Sequence, residues 1–273
     1  MGPVLKTPPP TEDQVLAAAP RQAQRDRRFL VFVGVALVAI ALGFKSELIP
    51  AGQIWLLAAA LVVLSAPALF GYLSGESSLP RIEHFVPAAL GAVAVAGLSA
   101  LVPEWWKYAL IAAVFGLGFF AAGQLDYRQL REEQKPGHLV VQEALMALGL
   151  AGAYVVVLAA GFDLPVRLGS VFLISLLASY RSFRVLGRPM APRRALLFSV
   201  FVAQVVSFFA WAMTALTYFT EGVFAVLLFL VWYVNRGIIR HTVEETLTRN
   251  VVIEYALFVL LIAYLFFTSF QPR

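Results

Sequence analysis

There is no cysteine among the 273 residues. Disulfides, thiolate metal sites and lipid attachment through sulfur are therefore excluded. Charge is scarce too: Asp, Glu, Lys and Arg make up 14% of the chain, against about a quarter in soluble globular domains. With 60% hydrophobic residues and a mean hydropathy of +0.81, water is not the main solvent. The familiar catalytic signatures are also missing. No Walker A, G-x-S-x-G or G-x-G-x-x-G element occurs, and no span carries a D-x-x-D or N-x-x-x-D pattern of the kind that holds magnesium in prenyl or alcohol-phosphate transferases.

What is present is a series of nine apolar stretches, at 29–44, 52–73, 85–102, 108–123, 139–161, 166–187, 195–218, 222–239 and 251–269. Their lengths are close to the roughly 20 residues that cross a bilayer as a helix. The fold expected is all-α: a polytopic transmembrane helical bundle over 29–273, preceded by a cytoplasmic tail at 1–28. In the tail, PVLKTPPP at 3–10 reads as extended, and Thr11 with Gln14 has capping-box spacing for a short surface helix. About 28 polar and Pro-containing residues precede the first apolar run, so that run is read as a retained span and not a signal peptide.

Charge placement orients the bundle. With the N-terminus cytoplasmic and the C-terminus outside, only Lys45, Lys107, Arg167 and Arg273 of the 21 Lys and Arg residues fall outside. That is the asymmetry of the positive-inside rule. Of the 16 acidic residues, only Glu47, Glu104, Asp163 and Glu221 lie outside, which leaves the surplus positive charge on the inner side. A pI near 9.6 therefore points to anionic lipid headgroups and not to nucleic acid. Trp105 and Trp106 beside Lys107, and Trp232 with Tyr233 before Arg236, are expected at the headgroup layer. Gly91, Gly97, Gly116, Gly118, Gly149 and Gly152 mark spans expected to pack closely in the interior or at a subunit contact. The Phe-rich spans seven to nine are expected at the periphery.

Ionisable groups inside spans are costly and come first as candidate binding residues. Glu143 and Glu254 each lie about one turn into a span from the inner side. Their shared depth permits pairing with Arg181, Arg184, Arg236 or Arg240, either as interfacial salt bridges or as a proton or cation site. Gln204, with Ser207 and Thr214, could line a solute path, or could simply join helices through hydrogen bonds, as could Ser170, Ser175 and Ser179. The densest basic cluster is Arg181, Arg184, Arg188, Arg193 and Arg194. Arginine forks hold phosphate well, so this cluster is either a lipid-headgroup pocket or plain topogenic charge. All three histidines, His84, His138 and His241, fall at inner span ends near acidic residues. HTVEE is not the H-E-x-x-H zinc motif, and EEQKPGH shares only a glutamate pair with intramembrane CAAX-type proteases. No catalytic residue, metal or cofactor is assigned.

The segment RHTVEETLTRNVVIEY at 240–255 resembles the C-terminal part of a family of uncharacterised multi-span bacterial membrane proteins, a domain of unknown function, over spans six to nine. The resemblance implies a bacterial inner-membrane location and singles out Arg249, Glu254 and Tyr255. The leading expectation is a non-enzymatic accessory or assembly subunit, or a lipid-contacting scaffold. Its expected partners are membrane lipids, anionic phospholipid among them, and proteins within the membrane. The alternatives are a small-solute or lipid transporter, with Glu143, Glu254 and Gln204 along its path, and an enzyme acting on a phosphorylated lipid at the arginine cluster.

Overall fold

A computed structural model describes residues 31–43, 61, 82–130, 136–185, 189–216 and 220–269. The tail at 1–28, the second apolar stretch at 52–73 apart from Leu61, and Arg188 lie outside them. The described residues form eight helices and no strand: α1 Val31–Gly43, α2 Val86–Leu101, α3 Trp105–Leu130, α4 Pro136–Ala159, α5 Leu164–Val185, α6 Pro192–Leu216, α7 Glu221–Val243 and α8 Arg249–Ser269. A 3-10 turn, Ile82–His84, leads into α2. The six helices from α3 to α8 are long and apolar enough to cross a membrane.

Local chemistry sets several of the boundaries. Proline opens α4 and α6 and stands within the first turn of α2, where its missing N–H is no loss and its fixed φ suits a helix start. Gly161, with φ +66, breaks the chain after α4. At the end of α7, the Thr246 N–H donates to the His241 carbonyl at 2.9 Å and the Glu245 N–H to the Thr242 carbonyl at 3.4 Å, with Glu245 at φ 56. This is a Schellman ending with a non-glycine residue in its left-handed position. It turns the chain sharply into α8.

The helices alternate in direction and pack into two apolar cores. One is shared by α4, α5, α6 and α7 around Met146, Tyr154, Phe183 and Trp232. The other joins α1, α2, α3 and Leu61 around Leu37, Tyr108 and Phe119. The extensive α2–α4 contact depends on small residues. A Cβ on Gly152 would come within 2.7 Å of the Ala94 Cβ, and one on Gly97 would collide with Val156. The glycine-rich spans are thus contact surfaces between helices of this bundle. α8 packs chiefly on α7 and leaves nearly all of its apolar residues unburied.

Large apolar side chains point outward along the helices, among them Leu117, Leu197, Phe208, Leu260 and Phe267. Contiguous apolar surface of this extent belongs in hydrocarbon or against another protein. Trp105 and Trp106 are exposed. Trp232 is not. It is buried in the core, because its face of α7 packs against α5, where its indole N–H donates to Ser179 Oγ at 2.9 Å.

Candidate functional site: a buried ionic network at one end of the bundle

The alternation of helices brings the start of α2, the end of α3, the start of α4 and the ends of α5 and α7 to one end of the bundle. Among the described residues, the buried charges gather there. Arg181 lies on α5 at helical spacing from the buried residues Ile174, Ala178 and Val185, so the helix itself aims it inward. Asp126 sits on α3 one turn beyond Ala122, and each of the pair is only 1% exposed.

Arg181 and Asp126 form the centre. Arg181 Nη2 donates to Asp126 Oδ1 at 2.9 Å, with a longer 3.4 Å contact from Nη1 to Oδ2. Nη1 also donates to the Glu83 carbonyl at 2.7 Å. Gln142 Nε2 on α4 donates to Asp126 Oδ1 at 2.8 Å, and His84 Nδ1 stands 3.3 Å from Oδ2. One carboxylate therefore gathers groups from α4, α5 and the 3-10 turn. Such a buried charge persists only when its partners are all in place.

A second layer extends from this centre. Arg184 Nε lies 3.3 Å from Glu83 Oε1, while its Nη1 donates to the Met190 carbonyl at 2.6 Å and so ties the α5–α6 turn to the network. On the other flank, Glu143 Oε1 of α4 accepts from Arg240 Nη1 at 2.8 Å and Arg236 Nη2 at 3.3 Å. Arg240 Nε also donates to Glu244 at 3.2 Å. Arg236 Nη1 donates to Ser182 Oγ of α5 at 2.8 Å, and its guanidinium lies 5.3 Å from the Trp232 ring centre. Four arginines and the four carboxylates of Glu83, Asp126, Glu143 and Glu244 thus compensate one another, and together they join α3, α4, α5, α7 and the 3-10 turn before α2.

The residues singled out from sequence divide among these positions. Glu143 meets two of its four candidate arginines. Glu254 pairs with no arginine among the described residues and instead accepts from Tyr233 Oη at 3.2 Å on an exposed face. The arginine cluster does not present one surface: Arg181 and Arg184 are turned inward, while Arg193 and Arg194 are exposed at the start of α6. Gln204 is exposed on the outside of α6. Ser175 and Ser179 do join helices, through Tyr154 Oη at 2.7 Å and the Trp232 indole. His241 Nδ1 lies 2.9 Å from Thr246 Oγ1. Among the described residues no three His, Asp or Glu side chains converge to hold a metal ion.

Sequence reasoning missed Asp126, Gln142 and Glu83 as network members. Asp126 lies beyond the apolar run that ends at 123, and it looks like loop by hydropathy. The signal that could have found it is helical register. Gly118, Ala122 and Asp126 follow at spacings of four, so the helix carries its small-residue face straight into the carboxylate.

Beside the network lies an apolar cleft of about 290 Å³ between α2, α3 and α4, with Ala88, Gly118, Ala122 and Gly149 in its walls. Leu110, Val114 and Leu148, all exposed, form its open side. In comparisons with family models, curated proteins and solved structures, the chain matches none.

Proposed function

We propose that this chain is a multi-pass scaffold of a bacterial inner membrane. It crosses the bilayer nine times, with the ionic network at the cytoplasmic face, and works by contacting lipid and neighbouring membrane proteins, not by catalysis. The observation that carries this reading is the charge balance of the network. Glu83, Asp126 and Glu143 are engaged by arginines from other helices, an arrangement that fixes helix positions. A carrier would hold a carboxylate ready for a cation or proton. The up-and-down alternation of α2 to α8 and the concentration of arginine at one end support the orientation.

One feature favours transport as the second reading. Glu143 is 36% exposed and shares two arginines, so it is the network carboxylate most open to exchange. Reconstitution into proteoliposomes separates the two. The scaffold gives no protein-dependent proton or solute flux, and Glu143→Gln lowers the melting temperature in detergent. A wild-type flux that Glu143→Gln abolishes at unchanged melting temperature would replace the scaffold with a transporter.

A further inference from the structure

One polar side chain stands where the bundle offers it no partner. Gln204 is the thirteenth of the 25 residues of α6, so it lies about 18 Å from either end of the helix at 1.5 Å per residue. In a span that crosses a hydrocarbon core of about 30 Å, that is the midplane. The side chain is exposed, and its amide makes no hydrogen bond among the described residues. The other exposed polar side chains described on α3 to α8 all lie within six residues of a helix end, Glu254 and Tyr264 among them, where headgroups and water are in reach.

Gln204 sits within an apolar stripe. Leu197, Phe201, Phe208 and Trp211 are exposed on the same face, and with Gln204 they follow at alternating spacings of four and three, the 3.5-residue period of a seam that a second helix covers along a left-handed crossing. The outer face of α8 has the same spacing in Ile253, Leu257, Leu260, Tyr264 and Phe267, but no carboxamide interrupts it and lipid can cover it. Spacing alone therefore names no occupant; the carboxamide does. A lipid chain over Gln204 would leave two N–H donors and a carbonyl oxygen dry, which hydrocarbon penalises.

The occupant must bring an acceptor and a donor to the midplane together. A second copy of this chain does so by symmetry. In a two-fold pair about an axis along the membrane normal, a residue on the seam meets its own copy at equal depth, and a carboxamide is its own complement: each Gln204 donates through Nε2 and accepts through Oε1. Arg193 and Arg194 begin ten residues away, about 15 Å along the helix, at the level where anionic headgroups offset their repulsion.

We infer that the outer face of α6 is a self-association surface, on which two copies meet in a parallel α6–α6 contact through reciprocal Gln204 hydrogen bonds. The inference rests on the membrane placement and the protein-contacting reading proposed above, and it names the neighbour as the chain itself.

Thiol cross-linking in native membranes, joined to a dimerisation assay in detergent, tests this, and no native cysteine interferes. Phe201→Cys and Phe208→Cys, on either side of Gln204, should each give a disulfide-linked dimer on oxidation, whereas Leu257→Cys on the outer face of α8 should not. Energy transfer between two fluorophore-labelled populations of the full-length protein reads the dimer in detergent. Gln204→Leu should weaken it at least about fivefold, since a reciprocal pair of interhelical hydrogen bonds is lost, and Gln204→Asn should retain it. Gln204 lies outside both apolar cores, so Gln204→Leu should keep the circular dichroism of the wild type. A Gln204→Leu dimer as tight as wild type, or cross-links as abundant from α8 as from α6, overturns the assigned face. A monomeric wild type whose α6 thiols link to a different protein overturns the second copy and leaves the scaffold reading standing. A wild type that links to nothing from either helix and carries a Glu143-dependent flux in proteoliposomes removes the scaffold reading as well.

Discussion

Replacing Arg181 by Met isolates the centre of the network. The change keeps a long apolar stem in the α5 core but removes the guanidinium from a site where it and Asp126 are each 1% exposed. Three contacts disappear: those of 2.9 and 3.4 Å to Asp126 and that of 2.7 Å to the Glu83 carbonyl. Hydrogen bonds to a charged group contribute about 1.5–3 kcal/mol each, but the 3.4 Å contact adds little. The larger effect is the carboxylate left behind, since removing one partner of a buried pair costs about 3–5 kcal/mol. At about 2–4 °C per kcal/mol for a chain of this size, melting in detergent should fall by about 6–20 °C. Removing both charges is different. Asp126→Leu combined with Arg181→Met exchanges the pair for apolar volume, and such exchanges are neutral or stabilising in other proteins. The double variant should therefore recover at least half of the loss, with a coupling above about 1 kcal/mol in the double-mutant cycle. Additive losses, or an Arg181→Met protein that melts like wild type, would refute the reasoning.

Other consequences follow from individual contacts. Glu143→Gln removes the charge that holds Arg236 and Arg240, and should lower stability by about 1–3 kcal/mol, read as a shift in detergent melting. Ser179→Ala strands the buried Trp232 N–H and should cost about 1–3 kcal/mol, while Ser179→Ala with Trp232→Phe should be milder than Ser179→Ala alone. Gly237→Ala places a methyl against the Tyr255 hydroxyl, with an overpacking cost of about 1–3 kcal/mol. It should loosen α8, seen as faster proteolysis between α7 and α8, and additional truncation at Tyr255→Ala should relieve the clash.

Much of the helix pattern was legible because apolar runs announce themselves. The stretch expected at 85–102 is α2 at Val86–Leu101, and that at 166–187 is α5 at Leu164–Val185. The polar ends were not legible. α3 continues to Leu130 and α7 to Val243, past where hydropathy falls, and the charges of Asp126 on α3 and of Arg236 and Arg240 on α7 are neutralised by other helices. Asp126 and Arg181 are 55 positions apart, and nothing local in either segment announces the other. Glu143 was recognisable as a costly residue in a span, and depth alone correctly narrowed its partners. Glu254 has the same sequence signature, yet α8 stands at the edge of the bundle and offers it Tyr233 instead of an arginine. Lateral position within a bundle is a tertiary property, and depth does not encode it.

Cysteine accessibility tests most directly whether the ionic network lies at the cytoplasmic face of a membrane-spanning bundle. The chain has no native cysteine, so a single introduced thiol reports alone. Gly137 at the network end of α4, and Glu104 and Glu221 at the opposite end, are exposed. Gly161 is unsuitable, since its positive φ would strain a cysteine. In intact cells an impermeant thiol reagent should label Glu104→Cys and Glu221→Cys, and should reach Gly137→Cys only after the membrane is opened. Labelling of Gly137→Cys in intact cells, with Glu104→Cys and Glu221→Cys protected, would contradict the account.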